Sequence, residues 1–416
     1  MRVLIVNTSE RTGGAAVAAN RLMMALNNNG AKAKMLVRDK DTDSLTVVGL
    51  PESPLLRWHF LWERLVIFMK CGFSRKHLFE IDIANTGTDI TKLREFQEAD
   101  IIHLHWINQG MLSLGSIRKI LNSGKPVVWT MHDVWPATAI CHVTLGCRSF
   151  TNHCRNCRLL PGNGSGNDLA AKVWRKKQKM LEAENVYYVA CSRWLESEAK
   201  ASGLLKGHKI TSIPNPIDTH IYKKGDKLEA RKRLGLPLDK KLILFVSQRV
   251  TNPNKGMDYL VEACRQITQA GVVILGGHAE EVVDQLPLET YPLGYVNDEL
   301  RIVDVYNAAD VFVLPSLSEN LPNTIMEAMA CGLPCVGFKV GGIPEEIDHK
   351  RNGYVADYRS ADDLARGIKW ILAEADYDEL SRQAVHKVAQ SYSQQSVAMK
   401  YLDVYHQAMA FRHYGL

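Results

Sequence analysis

Short apolar segments alternate along this chain with longer segments whose apolar residues recur at helical spacing. The short segments are rich in Val, Ile and Leu, and they are bounded by polar residues or proline, which is typical of buried parallel strands. Strands are predicted at residues 3–6, 100–106, 126–135, 241–247, 272–275 and 309–315, and helices at residues 17–26, 361–373 and 394–411. This alternation predicts an α/β fold with parallel sheets.

The predicted strand at residues 309–315 leads into the most informative segment. Asn323 is a favourable N-cap residue and Gly332 is favourable just past a helix end, so a helix is predicted between them. Glu319 then lies in the preceding loop and Glu327 in the second helical turn, with the free amides of the first turn between them. This arrangement favours a nucleotide-sugar site; an ordinary strand-loop-helix unit with two solvated glutamates is the alternative.

A second loop carries two cations. The predicted strand at residues 241–247 is followed by a loop that contains Arg249 and Lys255. Ligands of such sheets bind at the carboxyl ends of the strands. Arg249 can hold a phosphate through two parallel hydrogen bonds and Lys255 can act as a point charge, so both could neutralise a diphosphate leaving group. Alone, this could be a solvated loop; together with Glu319 and Glu327 it predicts one site.

These segments resemble the donor domain of glycosyltransferase family 4, retaining enzymes of GT-B architecture. The resemblance rests on the Arg249/Lys255 loop, Gly276-Gly277, Pro292 to Val296, Glu319 to Gly332, Gly341 to Glu345 and Asn352 to Tyr354. It implies that Glu319 contacts the transferred sugar and Glu327 the nucleotide ribose, and that backbone at residues 294–296 lies against the base. The predicted donor-binding residues are Gly13, Gly14, Gly294, Tyr295, Val296, Asn320, Leu321, Asn323, Thr324 and Glu327.

The resemblance also implies two Rossmann-like β/α/β domains that face an interdomain cleft. Two prolines, Pro214 and Pro216, mark a boundary near residue 215. Residues 1–215 are predicted to form the acceptor-binding domain and residues 216–394 the donor-binding domain. Because the last helix of GT-B proteins crosses back, residues from about 395 to 416 are expected to pack on the first domain.

A small-residue loop with Gly13 and Gly14 follows the first predicted strand. Glycines at a strand-to-helix turn let backbone amides approach a phosphate, although such a pair could also merely permit a tight turn. The resemblance favours ligand contact, since retaining GT-B enzymes have a glycine-rich loop here. No Gly-x-Gly-x-x-Gly follows this strand, which argues against a dehydrogenase.

Histidines end two other predicted strands. His132 and Asp133 match a His-Asp element that family members place near the donor sugar, so His132 is a predicted catalytic residue. His103 and His105 alternate along the strand at residues 100–106 and are expected to face opposite sides of the sheet. A structural role is favoured for both, and His105 is the better acceptor-side candidate because it lies nearer the strand end.

One polar segment after His132 holds four of the nine cysteines, namely Cys141, Cys147, Cys154 and Cys157. A Cys-x2-Cys pair with two further cysteines nearby is a ligand set for structural zinc, and a reducing cytosol argues against disulfides. The irregular spacing of the first pair leaves free thiols or a redox-sensitive loop as alternatives. Any metal here is expected to have no part in catalysis.

Charge is distributed unevenly. Residues 1–215 hold 29 Lys and Arg against 18 Asp and Glu, a net +11, and the remainder holds 22 against 27, a net −5, which sum to +6. The basic half predicts an anionic partner, and the absence of a nucleic-acid motif argues against nucleic acid. Residues 55–70 combine aromatic and apolar residues with Arg and Lys, so they could lie in a bilayer interface or form a helix packed on its own domain.

The location expected from the sequence is cytoplasmic, with peripheral contact at the inner face of the plasma membrane as an extension. No apolar run approaches the roughly 18 residues of a membrane span. The first six residues are predicted to begin a strand rather than a signal peptide.

The function predicted is that of a retaining glycosyltransferase. It would move a hexose-type sugar from a nucleotide diphosphate sugar to a saccharide or lipid-linked saccharide in surface, capsular or exopolysaccharide biosynthesis. No Asp-x-Asp motif leads into the site, and Arg249 with Lys255 can neutralise the leaving group, so no cofactor is predicted for catalysis. The resemblance implies front-face attack in which the departing phosphate takes the acceptor proton while Glu319 orients the sugar. The alternatives are a GT-B-like sugar-nucleotide epimerase and a catalytically inactive scaffold.

Overall fold

The computed structural model describes residues 1–182 and 186–414. The strands are β1 (Arg2–Ser9), β2 (Lys32–Asp39), β3 (Val47–Gly49), β4 (Ile101–Leu104), β5 (Val127–Met131), β6 (Val186–Ala190), β7 (Lys209–Ser212), β8 (Lys241–Arg249), β9 (Ala270–Gly277), β10 (Thr290–Gly294), β11 (Val311–Leu314), β12 (Cys335–Phe338) and β13 (Gly353–Ala356). The helices are α1 (Gly14–Asn28), α2 (Pro54–Lys70), α3 (Arg94–Glu98), α4 (Leu114–Leu121), α5 (Leu169–Met180), α6 (Arg193–Ala201), α7 (Lys227–Leu234), α8 (Met257–Cys264), α9 (Glu299–Ala308), α10 (Asn323–Ala330), α11 (Ile343–Glu346), α12 (Ala361–Lys369), α13 (Tyr377–Ser391) and α14 (Gln394–Tyr414).

The chain forms two compact units, each built on one parallel sheet. The first unit comprises Met1–Pro214 together with the chain from Val397, and its sheet has the order β3-β2-β1-β4-β5-β6-β7. The pairs are parallel, with Ile5 opposite Met35 in β2 and opposite His103 in β4. Apolar strands of this kind are buried on both faces because helices cover both sides of the sheet.

Helix α14 completes the first unit. Its residues Val397, Ala398, Tyr401 and Tyr405 are buried in the same apolar cluster as Val3 of β1. The Tyr405 hydroxyl lies 2.7 Å from His103 Nδ1 and the Tyr401 hydroxyl 2.9 Å from Thr130 Oγ1, so the helix also satisfies buried polar groups of the sheet.

The second unit comprises Asn215–Ser396, and its sheet has the order β10-β9-β8-β11-β12-β13. Counted from its own first strand, this is the order 3-2-1-4-5-6, which the first sheet shares before adding β7. Both sheets are therefore Rossmann-like. In each, strand order reverses beside the first strand, which is where ligands of such sheets bind.

A buried ion pair fixes the amino ends of β8 and β11. Asp310, just before β11, accepts hydrogen bonds from Arg231 of α7 at 2.7 Å and from the Leu242 amide at 2.8 Å. Lys227 adds a third contact at 2.8 Å. Because Asp310 ties the first residues of both strands together, the carboxyl ends of β8 and β11 lie in a fixed register at the opposite edge of the sheet.

Element boundaries differ from the predictions at two informative positions. The prediction of Asn323 as N-cap was wrong: it is the first residue of α10, and Pro322 occupies the cap. Gly332 follows the helix end with φ of 72°, as predicted. Arg249 is the last residue of β8 rather than part of the following loop, which ties its backbone to the sheet.

Candidate active site

In the second unit, the carboxyl ends of β8 and β11 bring two predicted catalytic residues into contact. Lys255 Nζ lies 2.5 Å from Glu319 Oε1, although the residues are 64 positions apart. The two loops are also joined through backbone, since the Leu317 amide donates to the Asn254 carbonyl at 2.8 Å. Arg249 stands exposed at the end of β8, and its Nε donates to Thr251 Oγ1 at 3.1 Å. Two cations, Arg249 and Lys255, and the carboxylate of Glu319 thus lie at one edge of the sheet.

Two glycines allow the loops around Glu319 to approach this closely. Gly256, with φ of 72°, faces the Pro315 carbonyl oxygen so closely that a Cβ would overlap it. Gly341, with φ of 57°, faces the Glu319 carbonyl oxygen in the same way, and the Gly342 amide donates to the Asn320 carbonyl at 2.7 Å. A side chain at either glycine would displace the backbone that positions Glu319.

Glu327 occupies a different environment from Glu319. It lies on the buried side of α10, with 8% of its surface exposed, and the buried Tyr306 hydroxyl donates to its Oε2 at 2.8 Å. Burial and the Glu327 charge hold the pKa of Tyr306 well above its usual range, so this tyrosine stays a donor. Glu327 is therefore fixed by a buried hydroxyl, while Glu319 is held by the partly exposed side chain of Lys255.

The other predicted donor-binding residues of this unit lie in two places. Asn323 accepts a hydrogen bond from Asn215 Nδ2 at 3.0 Å, and the remaining members of its segment are part-exposed Asn320 and Thr324 and buried Leu321. Gly294, with φ of 66°, ends the edge strand β10, which β9 and β8 separate from β11. Tyr295 is 60% exposed and Val296 is half-buried.

In the first unit, β1, β4 and β5 are neighbours, and residues after their carboxyl ends form a second group. His105 Nδ1 lies 2.8 Å from His132 Nε2 and the two rings stack. Gly13 has φ of 91° and precedes α1, whose first residue is Gly14. Each turn thus places its residues at the same edge of the sheet.

The expectation that His103 and His105 face opposite sides was wrong. Their ring centroids lie 4.2 Å apart, so both are on one face. The physical reason is the strand period of two, which puts residues i and i+2 on the same side. His103, His105 and His132 therefore form one continuous group of imidazoles.

A buried charge network that the sequence reasoning missed adjoins this group. His142 lies between two carboxylates, with Nδ1 2.7 Å from Asp133 Oδ2 and Nε2 2.6 Å from Asp82 Oδ2. Burial lowers the pKa of His142, but the charges and hydrogen bonds of Asp133 and Asp82 outweigh it and raise the pKa to about 10. Asp133 also accepts from Trp106 Nε1 at 2.9 Å. Its orientation next to His132 is thereby fixed from several sides.

The comparisons with known proteins match both units. A family described as Glycosyltransferase Family 4 matches residues 12–221, and one described as Glycosyl transferases group 1 matches residues 240–374. An uncharacterized glycosyltransferase of Methanocaldococcus jannaschii is 33% identical over 355 residues, which is 79% of this chain and 90% of that protein. This chain belongs to glycosyltransferase family 4. It is accordingly a transferase enzyme.

This family 4 enzyme is also similar to other curated proteins and to solved structures. A D-inositol 3-phosphate glycosyltransferase of Mycobacteroides abscessus is 31% identical over 214 residues, 49% of this chain and 47% of that protein. Sucrose-phosphate synthase of Thermosynechococcus elongatus has a TM-score of 0.69 at 19% identity, with 99% of both chains covered. HepE of Anabaena, solved with UDP and glucose, has a TM-score of 0.64 at 17% identity and covers 98% of this chain and 100% of its own. These structures confirm the GT-B fold.

In this family 4 chain the zinc prediction is not supported. Cys141, Cys147, Cys154 and Cys157 are free, and within residues 1–182 and 186–414 no group of three or more His, Cys, Asp or Glu is arranged to hold a metal ion. Cys154 and Cys157 instead pack against the apolar core. Burial, with a smaller effect of the neighbouring cysteines, raises the pKa of Cys154 to about 12 and that of Cys157 to about 11.

Glu346 is a further residue near the site that sequence reasoning missed. It ends α11, is fully buried, and neither carboxylate oxygen has a hydrogen-bond partner among the described residues. Burial and the nearby Glu319 charge raise its pKa well above the usual range, so the carboxyl group is neutral. The family motif at Gly341 to Glu345 includes Glu345 but not Glu346. Because the two glutamates are adjacent, the sequence does not indicate which of them is buried.

Acidification is expected to destabilise the first unit through its histidines. Burial lowers the pKa of His103 to about 3, that of His132 to about 4 and that of His105 well below its usual value. Unfolded histidine titrates near 6.5, so between about pH 6.5 and pH 4 the unfolded state binds protons that the native state does not. This stability is present above pH 6.5 and is lost as the pH falls, at about 1.4 kcal/mol per pH unit for each histidine. Denaturant midpoints at a series of pH values measure it.

The control for this pH series is His132→Asn, which removes one of the three groups. Its stability should fall less steeply below pH 6.5 than that of the wild type, whereas the exposed His220→Asn variant should follow the wild type. Equal slopes for wild type and His132→Asn would contradict the assignment of a neutral buried His132.

Proposed function

We propose that this enzyme is a retaining glycosyltransferase that moves a hexose-type sugar from a nucleotide diphosphate sugar to a saccharide or lipid-linked saccharide. The observation that carries the proposal is the contact of Lys255 with Glu319 at the sheet edge where Arg249 also emerges. The first-turn amides of α10 follow directly, and Glu327 lies one turn further on. Cations and free amides suit a diphosphate, and carboxylates suit sugar hydroxyls.

The names of similar proteins support the same donor class. HepE of Anabaena is described in complexes with UDP and with UDP-glucose. The two units share its fold, so we assign donor binding to the second unit and acceptor binding to the first. Tyr295 and its neighbours at the end of β10 are assigned to the base.

The proposed roles follow from the environment of each residue. Lys255 and Arg249 neutralise the charge that develops on the departing diphosphate. Glu319, released from Lys255 when the diphosphate binds, orients the transferred sugar. Glu327, fixed by Tyr306, accepts the ribose hydroxyls. His132, whose pKa is lowered by burial, is a neutral imidazole, and it contributes a hydrogen bond to the sugar without adding charge when it exchanges its contact with His105 for one with the sugar. These residues supply the required charge themselves, so we propose no cofactor.

The acceptor is proposed to be lipid-linked, in surface, capsular or exopolysaccharide assembly. The basic first half of the chain, at net +11, favours an anionic acceptor such as a lipid diphosphate sugar. Transfer rates to a lipid-linked saccharide should exceed those to the same soluble saccharide. Equal rates would contradict this acceptor class and leave donor binding unaffected.

Donor binding is tested by saturation-transfer NMR with UDP-, GDP-, ADP- and dTDP-sugars and no added metal. One nucleotide sugar should bind selectively, and both Glu327→Ala and Arg249→Ala should weaken it, by about tenfold or more for loss of a charged hydrogen bond. Lys240→Ala is the control, because Lys240 pairs with Glu289 on the exposed surface. Binding of no nucleotide sugar would overturn the proposal. Conversion of the sugar without acceptor would indicate epimerisation instead.

A further inference from the structure

Helix α2 presents two charged residues, Glu63 and Arg64, to the protein and six large apolar residues to the outside. Its buried residues are Glu63, Arg64 and Ile67. Its exposed large apolar residues are 39 to 58% accessible and comprise Leu55, Trp58, Leu61, Trp62, Leu65 and Met69. A helix that only covered a core would have the reverse arrangement.

Buried polar contacts fix this orientation. Glu63 Oε1 accepts from the amides of Ile83 at 2.9 Å and Ala84 at 2.6 Å. Arg64 donates to the Leu78 carbonyl at 2.6 Å and forms an ion pair with Asp82. Rotating the helix to bury its apolar face would leave these charges unpaired, which is strongly unfavourable. The outward apolar face is therefore a stable feature of the fold.

The exposed residues form one stripe. At 3.6 residues per turn, the six positions from Leu55 to Met69 span about 120° of the helix circumference. Trp58 and Trp62 stack along it with ring centroids 5.4 Å apart. The same helical period places two exposed cations, Arg57 and Lys70, on opposite margins of the stripe. Phe73, 70% exposed and in edge contact with Phe68, extends it beyond the helix end.

The surrounding charge favours a lipid surface over a protein partner. Between residues 52 and 80 four exposed cations, Arg57, Lys70, Arg75 and Lys76, outnumber the two exposed carboxylates, Glu52 and Glu80, because Glu63 is buried. Tryptophan prefers the boundary between acyl chains and headgroups, and flanking cations reach lipid phosphates. Within the described residues no helix is long and apolar enough to cross a membrane. An apolar stripe between cations is the pattern of a helix that lies in the plane of a bilayer.

We propose that α2 docks the enzyme on an anionic lipid bilayer, with its apolar stripe at the headgroup boundary and Arg57 and Lys70 against lipid phosphates. This contact lies in the first unit and involves none of the residues assigned to the donor. It goes beyond the proposed function and does not depend on it. Docking would confine the enzyme to the surface where a lipid-linked substrate is present.

The test is co-sedimentation with vesicles of phosphatidylglycerol mixed with phosphatidylcholine, and with vesicles of phosphatidylcholine alone. The wild type should bind the mixed vesicles. Leu61→Glu/Leu65→Glu should weaken this binding at least about 100-fold, since two charges enter the apolar stripe. Arg57→Gln/Lys70→Gln should weaken it about 30-fold and remove the preference for phosphatidylglycerol.

Leu228→Glu is the matched control, because Leu228 is an equally exposed leucine of α7 in the second unit. It should bind vesicles like the wild type. Vesicle binding of Leu61→Glu/Leu65→Glu equal to that of the wild type would overturn the proposal. The proposal would also be overturned if the wild type did not bind vesicles and instead self-associated through the stripe, as measured by sedimentation velocity. Nucleotide-sugar binding, measured on the same preparations, separates this outcome from failure of the proposed function.

Discussion

Replacement of Lys255 by alanine is expected to lower the rate of sugar transfer by about 10²- to 10³-fold. The ammonium group lies where a diphosphate leaving group is proposed to gain charge, and loss of one such preorganised donor has an effect of this size. Because the charge develops in the transition state, nucleotide affinity should fall much less than turnover. The same substitution frees Glu319, whose Oε1 lies 2.5 Å from Lys255 Nζ.

Initial rates with saturating donor, together with nucleotide titrations, check this prediction. Lys240→Ala removes an exposed lysine that pairs with Glu289, and it should retain wild-type turnover. Glu319→Gln should also be slow, and the double variant Lys255→Ala/Glu319→Gln should be less impaired than the product of the single effects, since the residues act as one pair. Turnover of Lys255→Ala within threefold of the wild type would rule out its proposed role.

Replacement of His142 by alanine is expected to lower the free energy of unfolding by about 3 to 5 kcal/mol. The imidazolium lies between Asp82 and Asp133, and its loss leaves the buried Asp82 and the part-buried Asp133 without their shared cation. Asp133 would also lose a contact that orients it next to His132. Denaturant unfolding at pH 7 measures the change, with the exposed His386→Gln variant as the control.

The pH dependence distinguishes this charge effect from a simple loss of packing. The pKa of His142 is about 10 in the folded state and near 6.5 when unfolded, so its contribution is fully present below pH 6.5 and is lost as the pH rises through about 10. The stability difference between wild type and His142→Ala should therefore shrink from pH 6 to pH 10. A difference that stays constant over this range would indicate that His142 is neutral in the native protein.

The sequence predicted those parts of the fold and site that depend on local pattern. The apolar run before Glu319 and the glycine after α10 define a strand and a helix end, and both are present as predicted. The cap was predicted at Asn323, but Pro322 with its fixed φ occupies the cap position, so the helix begins one residue earlier than predicted. Motif spacing located Lys255 and Glu319, whereas their contact depends on β8 and β11 being neighbours in the sheet.

Long-range burial explains what the sequence reasoning missed. His142 follows Cys141, so the cysteines drew the interpretation towards a metal, while its partners Asp82 and Asp133 are 60 and 9 residues away. The sequence of residues 55–70 did not decide whether the apolar side of a helix there would be buried or exposed. The answer depends on Glu63 and Arg64, which reach partners on a later segment and turn the apolar side outward.

The return of α14 to the first sheet constrains the order of folding during synthesis. His103 and Thr130 are made early, but their hydroxyl partners Tyr405 and Tyr401 leave the ribosome only after the entire second unit. Until then the side of β1 that α14 packs on is covered by α1 but lacks the part of its cover that α14 supplies. The second unit is thus able to finish folding first, although most of the first unit is translated before it. A nascent chain stalled near residue 396 would expose an incomplete core, which makes premature termination more hazardous here than in a protein whose domains are consecutive.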